Sequence, residues 1–590
     1  MRVWVGVAAV ICLAFAGAPH AAATAGFTVT RADDPAPDGC APSDCSLREA
    51  VLAVDAGSGG DTISIPPGHY RLTIAGPGED AGATGDLDLT ENVTISGIDG
   101  ARVTVIDATG SDRVFDVASG VQAEIDGVTV TGGRVPGDGG GIRNRGTLTL
   151  SQDAVVGNTA LGDGGGIDDE GSSTIQQSLI AHNEATDGGG LQAGASEVRT
   201  TTISANVAGG LGVTGLGGGI DGAGGASLVL VSSTLTDNQS YNSALTGAGI
   251  ADAPYASPLN TILADNRSYA LDQSTSALSN CAEPVSSGGY NLSDGTDCGL
   301  DQPGDQWASS VLLSPLGDNG GPTDTQAVLA GSAALDTGAG PPACSGFDQR
   351  GVSRPRGRAC EVGAYEFAPP LATTQAASAV AFGTATLNGT VDPSWRGATW
   401  QFEYGRTAQY GSLTAEQLVQ GNGAIPVSAP LTGLRQGATY HFRLIAVGAE
   451  GTTMGDDQTF TTMDRTKPVL TLLHIVPGLF HRKNGAAFSF TLSENATVTF
   501  RFDHSLRGVR RGKSCVKITR RNRRRRPCTR YLPVAGSLVL PAAEGPNSIH
   551  FDATVGTKLL TFGAYRLRAV PKDPSGNIGK TVVAAFRVLR

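Results

Sequence analysis

The chain has 590 residues, of which 83 are glycine and only 5% aromatic. That length exceeds one ordinary domain, so three or four are expected, and the composition favours many turns and small-residue packing over large aromatic cores. The net charge of −12 conceals an asymmetry: residues 464–590 hold 24 basic and 6 acidic residues and all seven lysines, whereas residues 1–463 hold 19 basic and 49 acidic residues. Lysine chemistry is thereby excluded from the first 463 residues.

The first element is a secretory signal. Met1-Arg2 is a basic start, "VWVGVAAVICLAFAGA" an apolar core, and "HAAATAG" a small-residue cleavage region, so residues 1–25 are assigned as signal peptide. The alternative, an amino-terminal membrane anchor, needs about 20 apolar residues. No later stretch is long and apolar enough to span a bilayer after signal removal. Without Cys12, eight cysteines remain in close pairs: Cys40 with Cys45, Cys281 with Cys298, Cys344 with Cys360, and Cys515 with Cys528. An even set in an exported chain predicts local disulfides. No His lies at ligand spacing, so no metal site is assigned.

Next comes a helix. In "CSLREAVLAVDAG", Ser46 and Glu49 make a capping box, and Leu47, Ala50, Val51 and Val54 form one apolar stripe. Such a helix suits the open end of a solenoid.

The solenoid follows. Three glycines and an apolar residue recur at Gly139–Ile142, Gly164–Ile167, Gly188–Leu191 and Gly217–Ile220, with a degraded copy ending at Ile250. The apolar positions are 25, 24, 29 and 30 apart. Between the clusters lie β-rich runs ending at Asn158, Asn183, Asn206, Asn238 and Asn266. Apolar and small polar residues alternate in each run, as in a strand with one buried face. No unit holds a helix-length stripe, and no GK[ST] follows any glycine cluster, which excludes helical repeats and a phosphate loop. The period predicts a parallel β-helix. Glycine is expected at corners needing positive φ or close coil approach. Asparagine is expected at another corner because it tolerates the left-handed conformation.

Several stretches resemble known families. "CSLREA" at Cys45–Ala50, with "GGDTISIPPGHYRLT" and "ATGDLDLTENVTISGIDGARVTVIDATGSDRVFDV", is similar to the amino-terminal module named for the CSLREA motif, over residues 27–117. The resemblance implies an exported bacterial protein with right-handed β-helix repeats, here at 118–310. "SPLGDNGGPTDTQAVLAGSAALDTG" and "DQRGVSRPRGRACEVGAYEF" resemble the choice-of-anchor Q domain, over 311–367, which is expected to close the solenoid as a carboxy-terminal cap. Residues 368–463 resemble a fibronectin type III domain, with Tyr440 at its corner and Trp400 and Phe442 in its core. Residues 464–590 resemble a bacterial immunoglobulin-like sandwich. The expected architecture is all-β: a parallel β-helix followed by two β-sandwiches.

β-Helices often carry polysaccharide lyases and hydrolases, which need converging carboxylates. The candidates are Asp168, Asp169 and Glu170, but adjacent strand residues face opposite ways, and no G-H-G or R-I-K motif occurs; the nearest His is His182. Arg143 and Arg145 with Asp138 and Asp163 could imitate an arginine-base, calcium-assisted site, but Arg/Asp pairs on a solenoid face are normally exposed salt bridges. No catalytic residue is therefore assigned. No cofactor is expected beyond incidental calcium, since "GGGIDD" matches calcium-ladder repeats poorly. The strongest feature is charge: residues 507–530 carry twelve Lys/Arg and no acid. Arg520, Arg521, Arg523, Arg524, Arg525 and Arg526 are assigned as a polyanion site. In an exported chain the partner is a polysaccharide or anionic envelope polymer rather than nucleic acid. The alternative is a loop docked on the acidic solenoid. The expected function is adhesion or glycan binding at the cell surface or outside the cell. A β-helix lyase or glycosidase and a structural spacer are the alternatives.

Overall fold

The computed structural model describes residues 26–590 apart from 58, 77, 211, 223–226 and 342–343. The assigned signal peptide, residues 1–25, lies outside the described residues. From Gly26 to Trp307 the chain forms a parallel β-solenoid of about eight turns, and antiparallel sheets follow. One turn runs through Ile142–Asn144, Thr147–Ser151, Ala154–Val156 and Thr159–Ala160. Each strand pairs in parallel with its counterpart one repeat on. The turns thus build four stacked sheets of nine, ten, seven and seven strands.

Side chains alternate across a strand, so in-register stacking places like on like. Ile95, Ile125, Leu150, Ile175, Val198 and Leu230 form one buried column. Val130, Val155, Ile180, Ile203 and Leu235 form a second. Phe115, Ile142, Ile167, Leu191, Ile220 and Ile250 form a third. The three columns meet in one core.

The glycine clusters are corners, as expected. The first glycine is left-handed, with φ +68° at Gly164, and a Cβ on Gly165 would lie 2.5 Å from the carbonyl oxygen of Gly189 in the next turn. The asparagines also sit at corners, but the expected reason is corrected. The left-handed residue is the one before each: Gly157, His182, Ala205, Asp237 and Asp265. The asparagines point inward and form a continuous ladder. Asn183 Nδ2 donates to Asn206 Oδ1 (3.0 Å) and to the carbonyl of Val155 (2.9 Å), while its backbone N–H donates to Asn206 Oδ1 (3.0 Å). The pattern repeats from Asn158 to Asn266 and reaches Asn280. A second ladder, of Ser178, Thr201, Ser233 and Thr261, lies at the preceding corner.

The expected helix, Leu47–Asp55, covers the first turn with its capping box formed and Leu47, Ala50, Val51 and Val54 buried. Arg48 is fully buried as well, paired with Asp34 at 2.8 Å and donating to the carbonyls of Gly82, Gly85 and Asp86. At the other end the core is closed by Cys281, Val285, Cys298 and Leu300. Residues 311–367 do not form that cap. They run back along the outside of the ten-stranded sheet. Arg102 donates to Asp324 and to the carbonyls of Gly321 and Thr323. Thr202 meets Gln349, the Ala364 N–H donates to Thr234, and Asn260 donates to the Glu361 carbonyl. The physical reason is the outward stripe of that sheet, with Ala154, Leu179, Thr202, Thr234 and Ile262, which carries no charge and is buried by this strap. Within the strap, Arg350 is paired with Asp348 and lies 3.6 Å from the centre of the Tyr365 ring.

All four expected disulfides are present. Residues 371–461 form facing sheets of three and six strands around Trp400, Phe402 and Phe442, and Tyr440 Oη accepts the Arg435 N–H at 3.0 Å. Residues 470–589 form sheets of three and seven strands, apart from a small hairpin. Here the compositional expectation is corrected: seven of the chain's 17 phenylalanines share this one core.

Candidate functional site

The outward side of the sheet that follows the glycine corners carries a ladder of polar residues. Strand register stacks Asp88, Asp116, Arg143, Asp168, Gln192 and Asp221 in that order, with rungs about 4.8 Å apart. The glycine turns fold back over these rungs: a Cβ on Gly164 would lie 2.6 Å from Asp168 Cα, and one on Gly217 would lie 2.6 Å from Asp221 Cβ. Asp168 and Asp221 are therefore only 5% exposed. Burial pushes Asp168 up to about 7, helped by Glu170 and Asp138. Burial pushes Asp221 to about 7 against a hydrogen bond from Gln192, with Asp187 and Asp252 adding to the rise. Asp88 also rises to about 7, through burial and then Asp86, and Asp86 to about 6, through burial and then Asp112. Asp86 Oδ1, Asp112 Oδ2, Asp168 Oδ2 and Asp221 Oδ1 accept no hydrogen bond among the described residues.

The three carboxylates weighed for catalysis do not converge. Asp169 points into the solenoid, 2% exposed, and accepts from Asn144, Ser173 and Ser196. Glu170 pairs with Arg143 at 2.8 Å on the surface. Asp168 is the ladder rung described above. Arg145 is bound to Asp116 at 2.7 Å, and Asp138 accepts the Asp163 N–H. His182 occupies a left-handed corner. The ladder itself was not assigned from the sequence, although Asp88 in "DLDL" and Asp116 in "FDV" each sit between two apolar residues, as Asp168 follows Ile167.

The basic segment lies on the last domain. The strand Ala496–Arg511 pairs with Ser514–Lys517 and, through Asp503–Val509, with Pro527–Pro533. The Cys515–Cys528 disulfide passes close to Gly508, where a Cβ would lie 2.6 Å from Cys515 Sγ. Between the two cysteines, Arg520, Arg521, Arg523, Arg524, Arg525 and Arg526 are all exposed. Among the described residues none of the six forms an ion pair.

No family model and no curated protein matches the chain. Among solved structures it is similar to the sensor domain of the anti-sigma factor RsgI4 of Pseudobacteroides cellulosolvens, in a short and a long form. The short form matches at 19% identity and a TM-score of 0.14, over 16% of this chain and 96% of that one. The long form matches at 16% identity and a TM-score of 0.14, over 18% of this chain and 99% of that one. Among the described residues no helix is long and apolar enough to cross a membrane.

Proposed function

We propose that this is an exported bacterial protein of the cell surface or extracellular space that binds an anionic envelope polymer or acidic polysaccharide through its arginine arm. In this reading a CSLREA-type module and a choice-of-anchor Q segment belong to the solenoid. Fibronectin type III-like and immunoglobulin-like modules then carry the arm outward. The observation that carries the proposal is the state of the six arginines, which are exposed, unpaired and held between two disulfide-linked strands. Like charges this dense repel one another and favour a compensating polyanion. Four disulfides support an oxidising compartment. Glycan cleavage has less support, because Asp168, Asp169 and Glu170 point apart.

Replacing Arg523, Arg524, Arg525 and Arg526 together by serine should abolish retention on a heparin or teichoic-acid column. The melting temperature should not change, since no ion pair is lost. Wild-type protein that elutes as early as the variant would refute the reading.

A further inference from the structure

Four aspartates crowd the first rungs of the acidic ladder. Asp88 and Asp116 are register partners on consecutive turns. One carboxylate oxygen from each of Asp86, Asp88 and Asp116 falls within 4.8 Å of the other two, and all three residues are buried. Asp112 adjoins them across Gly85, whose Cβ would lie 2.5 Å from Asp112 Oδ2. The nearby cations are already committed. Arg113 Nη1 donates to Asp86 Oδ2 (2.9 Å) and Asp116 Oδ2 (3.3 Å), and Arg145 Nη2 donates to Asp116 Oδ1 (2.7 Å). Arg48 is held by Asp34. Arg143, on the rung beside Asp116, is taken by Glu170 and Asp168, so four carboxylates against Arg113 and Arg145 leave two negative charges. Moreover, Asp86 is 1% and Asp112 3% exposed, yet Asp86 Oδ1 and Asp112 Oδ2 accept no hydrogen bond among the described residues. Buried carboxylate oxygens without a donor are rare, because their desolvation is uncompensated.

We propose that Asp86, Asp88 and Asp116, with Asp112 beside them, bind one divalent cation, and that this cation is calcium. The donors are all oxygen, as hard cations require, and several carboxylates in an irregular cradle suit calcium better than the strict octahedron of magnesium. One such ion matches the two uncompensated charges. It would join the strand Leu87–Leu89 to Phe115–Val117 and so pin the first turns beneath the helix cap.

A second acidic group, Asp464, Glu494 and Asp573, also lies within 4.8 Å. There Asp573 accepts from Asn577 on both carboxylate oxygens, and Glu494, although its Oε1 also accepts no hydrogen bond among the described residues, is only partly buried, so this group serves as the control. The full chain, stripped with EDTA, is titrated with calcium chloride by calorimetry and melted with and without calcium. One binding event and a calcium-dependent rise in melting temperature are expected in the wild type and in Asp573→Asn. Both should be lost in Asp86→Asn and Asp88→Asn. Removing one of four crowded charges relieves repulsion, so stripped Asp88→Asn should melt no lower than stripped wild type. A stripped wild type that neither binds calcium nor melts higher with it overturns the proposal. Binding that survives both substitutions does the same. Should either variant fail to fold, the wild-type melting response and its reversal by EGTA still decide.

Discussion

Asn206 accepts from the backbone and side-chain amides of Asn183, and its own side chain donates to Ile180 and Asn238. Removing it leaves several buried groups unsatisfied, each costing about 1–3 kcal/mol. Asn206→Ala should therefore destabilise the solenoid by roughly 3 kcal/mol or more. Ala205 is the left-handed residue, with φ +57°. Ala205→Gly should be neutral or stabilising by up to about 1 kcal/mol, because strain relief outweighs the extra unfolded-state entropy. Paired melting curves check this, and the reverse order would restore asparagine to the role of conformational specialist. The sequence shows the asparagine period plainly but leaves two roles open. Identity separates them in hindsight. The left-handed site accepts Gly157, His182, Ala205, Asp237 or Asp265, whereas the hydrogen-bond ladder needs the same amide at every turn. The six residues of "CSLREA" divide in a similar way. The capping box of Ser46 and Glu49 and the stripe containing Leu47 and Ala50 are legible. The burial of Arg48 is not, because its partners Asp34, Gly82 and Gly85 are distant in sequence.

At the scale of elements, the repeat period reveals the coils and the alternation reveals their inner faces. It does not reveal how the outer faces are used. The ten-stranded sheet has an uncharged outer stripe that the strap covers, and a local pattern cannot say which later segment will do so. The acidic ladder is not legible for a related reason: its rungs read as solvated, and only the fold brings the glycine turns over them. The ladder has a consequence for pH. Asp221 ordinarily titrates near 3.8 but is raised to about 7 in the fold, facing Asp187, Asp252 and Asp163 and the amide of Gln192. The native state then binds more protons than the unfolded state between these values. This residue's contribution accordingly falls as pH rises from about 4 to 7, and the deficit is complete above 7. Asp221→Asn should raise the melting temperature by a few degrees near pH 8, within a ceiling of about 4 kcal/mol, and leave it nearly unchanged near pH 4. An equal gain at both pH values would mean that the carboxylate is not strained by burial.

At the scale of the whole molecule, charge is segregated: residues 1–463 carry 49 acids against 19 bases, and residues 464–590 carry 24 bases against 6 acids. This division, and the order of solenoid before antiparallel domains, is fully legible in the sequence. The sequence could not say whether the arginine arm folds back on the chain's own acidic surface, since that depends on how the domains are joined. Here Tyr365 and the Ala368 N–H both bond Glu450, and Arg356 pairs with Asp392, so the strap grips the domain that follows it. The arm remains unpaired and exposed. An unpaired cationic arm and an acidic solenoid on one molecule are complementary between copies. Such a contact joins unlike surfaces, so it need not close and can propagate. Charges separated by tens of ångströms interact at about 0.01 M salt, where the screening length is near 30 Å, and are screened at higher ionic strength. The full chain should therefore self-associate with rising concentration at about 0.01 M salt and sediment as a monomer at about 0.3 M. The variant with serine at positions 523–526 should remain monomeric at both, and free heparin should dissolve the wild-type assemblies by occupying the arm. Association that persists in that variant at low salt would show that a different surface joins the copies.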